Sequence, residues 1–285
     1  MPDTPPELPR ELVLPEEFLP SEPPPAVRPK DAATVVLLRD VPAGIEVFLQ
    51  RRVAGMPFAG GMTVFPGGGV DARDSAAVAW AGPPPSWWAA RFGCDTALAQ
   101  ALVCAAVRET FEESGVLLAG PDEDSVVDDA TRHHQARAAL VARELSMAQF
   151  LADARLVLRA DLLRPWANWV TPEGEPRRYD TRFLLAALPP GQHADGVTTE
   201  AADAGWQAPR AALDDWRAGR RWLLPPTWYT LTELSEHAKV ADALAASDGR
   251  TIDKVMPRIV RDPDGLRVVL PDDPRYADAA AHLDP

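Results

Sequence analysis

Basic residues are in short supply: 29 Lys and Arg stand against 42 Asp and Glu, a formal net charge of −13. A protein that grips nucleic-acid phosphates needs a basic face, so no nucleic-acid partner is expected. An anionic small substrate stays compatible if metal ions and a few local arginines supply the positive field. Cysteine is scarcer still. Cys94 and Cys104 are the only two and lack any C-x-x-C spacing, which predicts reduced thiols in a cytoplasmic protein, with a disulfide as the alternative. No run approaches the roughly 18 apolar residues of a membrane span, so no membrane partner is expected. The acidic, proline-broken N-terminus shows no apolar signal-peptide core, and the C-terminal residues 281–285 carry no Ser-Lys-Leu-type address.

What is present reads as a globular protein, with 46% hydrophobic residues in a chain of 285. Residues 1–30 hold 10 of the 30 prolines and read as an extended arm ahead of one domain over 31–285. β-Branched runs predict strands at 33–39, 45–50, 62–65, 166–170 and 178–187. Polar, alanine-rich stretches predict a helix over 126–145 and a shorter one over 147–154, capped by Ser146. Pro209 opens a helix closed by Gly219, Pro225 opens another running to about 246, and residues 255–270 read as a hairpin. Segments 75–97 and 121–160 stand out as helical insertions, the second expected to cap a cleft, and 226–270 as a C-terminal helix plus hairpin. His133 and His134 lack metal-ligand spacing and read as surface imidazoles.

Residues 97–118 organise the rest. Alanines with Leu98, Gln100 and Leu102 favour a helix, and Gly115 is a natural stop. At 100° per residue, Val103, Val107 and Phe111 share one face, while Glu109, Glu112 and Glu113 cluster on the other. Like charges three and four residues apart oppose helix formation by roughly 0.2–0.5 kcal/mol per pair, and anions sit badly at a helix C-terminus. Three such carboxylates suit a hard divalent cation, Mg²⁺ or Mn²⁺. The bland alternative is a solvated acidic face with Arg108 paired to Glu112. Upstream runs Phe65-Pro66-Gly67-Gly68-Gly69-Val70-Asp71-Ala72-Arg73-Asp74, where three glycines allow a tight turn and close approach of backbone to a ligand.

A glycine turn ahead of Arg108-Glu109-Thr110-Phe111-Glu112-Glu113-Ser114-Gly115-Val116 resembles the Nudix box, G-x5-E-x7-R-E-U-x-E-E-x-G-U, with U a bulky apolar residue. Two positions depart from it: Asp74 replaces the first glutamate, and Thr110 the first apolar residue of the helix motif. Residues 75–107 also fill a spacing for which the pattern allows 7, an insertion of about 26. Blocks 61–74, 104–118 and 166–187 are similar to the Nudix branch of the animal peroxisomal coenzyme A diphosphatases. The resemblance implies an α/β class, a Nudix α/β/α sandwich with a mixed sheet, here carrying a long insertion inside the box and extra helices.

It also implies roles. Glu109, Glu112, Glu113 and the Gly68 backbone would hold the metal, with Glu112 catalytic and Arg108 orienting the carboxylates. Gly67 and Gly69 would leave room for phosphate oxygens. Arg51, Arg178 and Arg182 would bind substrate phosphates; surface charge for Arg51, and pairing of Arg182 with Asp180 or a box glutamate, are the structural alternatives. Glu200, six residues before Trp206, would be an extra metal ligand or general base, with Asp203 as second choice. Trp228 and Tyr229 are offered as adenine-stacking residues or as packing against the sheet. The reaction implied is metal-assisted pyrophosphate hydrolysis of a small nucleotide-type substrate. Coenzyme A or acyl-coenzyme A would give 3′,5′-ADP and (acyl-)4′-phosphopantetheine. The alternatives are ADP-ribose, NADH or a nucleoside polyphosphate, and behind them a non-catalytic nucleotide sensor. A homodimer is compatible with the sequence.

Overall fold

The computed structural model describes residues 12–14, 27–56, 59–173, 175–198, 200–262, 265–271, 273 and 275–276. A short strand β1 (Leu12–Leu14) precedes β2 (Lys30–Val41), which returns through Gly44 (φ +129°) as β3 (Gly44–Arg52). Next come β4 (Thr63–Val64), β5 (Gly67–Gly69), a 3-10 turn at Ala72–Ser75, β6 (Trp80–Ala81), α1 (Pro85–Phe92) and the long α2 (Thr96–Ser114). β7 (Ala119–Gly120), a 3-10 turn at Ala130–His133, α3 (His134–Val141), α4 (Met147–Ala154) and β8 (Val157–Arg159) lead to β9 (Leu163–Val170) and β10 (Tyr179–Ala187). β11 (Ala201–Gln207), α5 (Pro209–Arg217), α6 (Pro225–Leu234), α7 (Val240–Ala246), β12 (Lys254–Val255), β13 (Arg258–Asp262) and β14 (Gly265–Val269) follow.

The main sheet has eight strands in the path β11-β3-β2-β10-β9-β12, with β4 on β3 and β5 on β2. β2 and β10 run parallel while β2–β3, β3–β11 and β9–β10 are antiparallel, so the sheet is mixed. β2 is apolar at successive positions because both its faces are covered. Ala33, Val35 and Leu37 pack with α1, α2 and α4; Val36 and Leu38 pack with α5, α6 and α7 on the other face. Helices on both faces make the three layers of an α/β/α sandwich, as the box motif implies.

Several local expectations change. The helix foreseen over 126–145 is only α3, entered by the 3-10 turn, and the one foreseen over 225–246 breaks into α6 and α7. There Ser235 Oγ donates to the Thr232 carbonyl, and the start of α7 is held from outside by Asp40 Oδ1, which accepts from Val240 N at 2.9 Å. α2 is not amphipathic in the surface sense. Ala99, Ala101 to Val107 and Phe111 are all nearly solvent-free, because α1 inside the 75–97 insertion covers flank residues that a surface helix would expose. Of the N-terminal arm, Leu12–Leu14 pair antiparallel with β14 (Leu12 opposite Val268), and the remaining residues up to 26 lie outside those described. The tip of the expected hairpin, 263–264, is likewise outside them. Both cysteines are free thiols. Among the described residues no single helix is long and apolar enough to cross a membrane.

Candidate active site

The glycine run is a strand and not the tight turn its composition predicts. Gly67, Gly68 and Gly69 pair antiparallel with Thr34, Ala33 and Ala32 of β2, and none has a left-handed φ. Closeness is what demands glycine. A Cβ at Gly67 would lie 2.5 Å from Thr34 Oγ1 and 2.6 Å from the Ala33 carbonyl oxygen. A Cβ at Gly68 would meet Glu109 Oε1 at 2.5 Å, so the C-terminal turns of α2 press directly on the bare backbone of β5.

α2 starts where Asp95 accepts from Leu98 N at 2.8 Å, and stops at Gly115 with φ +74°. Between these caps the 19-residue helix crosses the sheet and delivers Arg108 and the three glutamates to β5. Arg108 is the hub. Its Nε and Nη2 meet Asp74 Oδ1 and Oδ2, each at 2.9 Å, while Nη2 also donates to the Gly69 carbonyl at 3.0 Å. Nη1 reaches Glu109 Oε1 at 2.7 Å and Glu112 Oε1 at 3.4 Å. Asp74 is one methylene shorter than the glutamate of the box, yet it reaches Arg108. The 3-10 turn at 72–75 forms a capping box, in which Asp71 N donates to Asp74 Oδ2 at 2.8 Å and lifts the carboxylate toward the helix. With Asp74 1% exposed, this is a buried bidentate pair, and deleting one partner costs about 3–5 kcal/mol because the other is left charged and dry.

The glutamates do not splay into solvent. Glu113 is 5% exposed and accepts from Gly67 N at 2.8 Å and from Gln50 Nε2. Burial, opposed by Arg108, raises the Glu109 carboxyl to about 7. Burial and then the charge of Glu109 raise Glu113 to about 8. Burial also raises Glu112. Three crowded carboxylates short of positive charge are the condition a bound cation relieves. Gln50 adds a further oxygen: its side chain is 1% exposed, and Oε1 has no hydrogen-bond partner. The donors are all hard oxygens, which fits Mg²⁺-like chemistry. Among the described residues no three acidic, imidazole or thiol side chains converge on one point. Arg108 lies between Glu109 and Glu112, while Glu113 is drawn to Gln50 and Gly67, so holding a cation requires rotating the glutamate side chains.

The remaining sequence candidates divide. Strand alternation puts Phe48, Gln50 and Arg52 on the α2 face of β3, and Val47, Leu49 and Arg51 on the opposite face. Arg51 is exposed and does not join the glutamates; its neighbour Arg52 does, since its charge acts on Glu113. Arg52 Nη2 also reaches Glu200 Oε2 at 3.2 Å, which ties Glu200 to the rim of the site, while Asp203 is exposed opposite Arg51. Arg178 and Arg182 do not join either. Arg178 donates to the carbonyls of Thr171 and Val27 at 3.1 and 2.9 Å and touches Met256 Sδ. Arg182 is 3% exposed and pairs with Asp180 at 2.7 Å and Asp31 at 3.2 Å. Both guanidiniums serve the fold where β10 meets β2 at the centre of the sheet. Gln50 is not among the sequence candidates; period-2 alternation from the buried Phe48 is the signal that points to it.

On the outer side of α2, Arg137 Nε donates to the Glu112 carbonyl at 3.1 Å and both Nη groups pair with Asp195 at 2.8 Å. Phe150 of α4 stacks on Phe111 at 5.6 Å, so the 121–160 insertion braces the acidic end of α2. His134 is exposed as a surface imidazole, whereas His133, expected to be one too, is half-buried with its ring edge-on to Phe150.

Comparison with known proteins shows the family and the fold. The family model for the NUDT19 Nudix domain matches residues 89–234, just over half of the chain. The acyl-coenzyme A diphosphatase NUDT19 of Xenopus laevis is 30% identical over 191 residues, 61% of this chain and 50% of that protein. The human protein of the same name is 30% identical over 199 residues, covering 64% of this chain and 52% of that one. The chain thus spans about half the length of the curated relatives it matches. A NUDIX hydrolase from Alicyclobacillus acidocaldarius superposes with a TM-score of 0.62 at 27% identity, over 76% of this chain and 96% of that one. The glycine strand and Asp74 precede the family match, and the Asp74–Arg108 pair joins them to the matched helix. The chain belongs to the Nudix family, in the group described by the NUDT19 Nudix domain.

Proposed function

We propose that this protein is a Mg²⁺- or Mn²⁺-dependent pyrophosphohydrolase that splits coenzyme A or acyl-coenzyme A into 3′,5′-ADP and (acyl-)4′-phosphopantetheine. One observation carries the hydrolase part: the buried Asp74–Arg108 pair clamps the glutamate-bearing end of α2 onto the glycine strand, despite the insertion between them. The coenzyme A part rests on the NUDT19 relatives, which are acyl-coenzyme A diphosphatases by name.

Glu109, Glu112 and Glu113 would hold the cation, joined by the Gly68 carbonyl. Bound there, it would neutralise charge on the bridging phosphates and lower the pKa of an attacking water. The chain's own part is positional. Arg108 keeps Glu109 and Glu112 on one side of α2, and Gln50 with Gly67 N aims Glu113 at β5. Along β5 the bare backbone of Gly68 lets Glu109 come into contact, and the open side of Gly69 would take phosphate oxygens. Arg52 brings positive charge to the same rim, and Glu200, which accepts from it, would take a proton from water. This assignment passes the phosphate-binding role expected of Arg51, Arg178 and Arg182 to Arg52.

The test is a substrate panel. Purified protein with Mg²⁺ or Mn²⁺ is offered coenzyme A, acetyl-coenzyme A, ADP-ribose, NADH and a nucleoside triphosphate, and products are followed by chromatography. Cleavage is expected to be fastest for the coenzyme A pair, with 3′,5′-ADP as the nucleotide product. Faster cleavage of another member reassigns the substrate, and tight binding with no product from any would make the protein a sensor.

A further inference from the structure

The chain holds nine tryptophans. Trp88, Trp166, Trp169 and Trp228 are at most 3% exposed, whereas Trp222, between α5 and α6, is 59% exposed. Its backbone is nevertheless fastened to the sheet. Thr63 N donates to the Trp222 carbonyl at 2.8 Å, and Leu223 forms a parallel bridge with Thr63. Arg221 Nη1 reaches Thr63 Oγ1 at 3.3 Å.

Alternation settles which way the indole faces. Leu223 belongs to the core beneath the sheet, with Leu49 and Phe65. Its predecessor in this extended segment therefore projects to the opposite face. That is the face of Val64, which pairs with Gln50, the residue that holds Glu113. Trp222 thus stands on the glutamate side of the sheet, just outside β4. Two strand spacings, about 10 Å, separate it from the Gln50–Arg52 row.

We propose that Trp222 is the aromatic platform for the nucleobase of the substrate, stacking the adenine ring while the pyrophosphate lies against the glutamates. The proposal rests on the hydrolase reading above and deepens it. A large, flat, exposed π-face on an immobilised backbone is what base stacking uses. The residues expected from sequence to stack adenine are otherwise engaged. Trp228 is buried and stacked on Trp216 at 5.9 Å, and Tyr229 makes an edge contact with Trp169 at 5.5 Å.

The experiment compares wild type, W222A, W222F and W87A in steady-state hydrolysis of coenzyme A with Mg²⁺, and titrates each protein with 3′,5′-ADP while following indole emission. Loss of one base stack is expected to raise KM for coenzyme A about tenfold in W222A while kcat stays within twofold. W222F should recover most of the loss, and W87A, 40% exposed on the distant α1, should match wild type. 3′,5′-ADP should quench wild type and W87A but not W222F. An unchanged KM in W222A, or an equal rise in W87A, overturns the platform. A wild type that cleaves no nucleotide pyrophosphate sinks the hydrolase reading instead. The titration then judges Trp222 alone: quenching abolished in W222F sustains it, and no quenching overturns it.

Discussion

Neighbouring glycines on one strand are constrained by different things, and substitution should separate them. At Gly67 a new Cβ would strike the backbone of β2, with the Ala33 carbonyl oxygen at 2.6 Å and Thr34 Cα at 2.7 Å. Gly67→Ala is therefore expected to lower stability by about 1–3 kcal/mol, read as a denaturation midpoint. At Gly68 the obstacle is the mobile end of Glu109. Gly68→Ala should keep most of the stability and lose activity, because the carboxylate must move; equal melting shifts in the two variants would refute this. Glu112→Gln keeps the shape and removes a charge, so turnover should fall at least about 10²–10³-fold, roughly 2.7–4 kcal/mol, with an unchanged circular-dichroism melt. Near-normal turnover would remove Glu112 from the chemistry. Asp74→Ala should act on the fold instead, costing about 3–5 kcal/mol by stranding the Arg108 guanidinium.

At the scale of elements, α2 explains how a box interrupted by an insertion keeps its geometry. The inserted α1 is no loose excursion: Trp88 is fully buried and packs beside Phe92, with ring centres 5.4 Å apart. It encloses the N-terminal half of α2 while α4, through Phe150, braces the acidic end. The helix is then fixed along its length, which anchors the backbone from which the glutamate side chains turn. Truncating Trp88 to alanine should destabilise by about 3–5 kcal/mol in a chemical melt, although the residue belongs to the insertion. Sequence periodicity placed Val103, Val107 and Phe111 on a buried face. It could not show that the alanine-rich flank is buried too, since alanine is equally at home in solvent and in a close helix contact.

For the whole molecule, the buried carboxylates couple stability to pH and to metal. Glu109 and Glu113 titrate near 7 and 8 in the folded protein, above the ordinary 4.5, so the native state binds more protons than the unfolded one. Stability without metal should thus fall as pH rises from about 5 to about 8.5, and level off once both groups are charged. A divalent cation that binds the ionised carboxylates should reverse the loss, with a larger melting shift at pH 8 than at pH 6. Thermal melts at the two pH values, with and without Mn²⁺, check this. An equal shift at both would mean that the cation binds elsewhere.

What the sequence determined by itself is whatever local chemistry encodes: strands from β-branched runs, α2 from its alanine-rich run and the Gly115 stop, and the closeness of Arg108, Glu109, Glu112 and Glu113 on one helix. Those features are set by neighbours within a few residues. Only the tertiary structure decided that the three glycines form a strand, that Asp74 reaches Arg108 across 34 positions of chain, and that Arg52, not Arg51, faces the glutamates. It likewise committed Arg178 and Arg182 to the fold and brought Gln50 to Glu113 across 63 positions. The physical reason is that a strand residue's face, and a guanidinium's partner, are fixed by register and by what packs opposite. Both depend on segments far away in the chain.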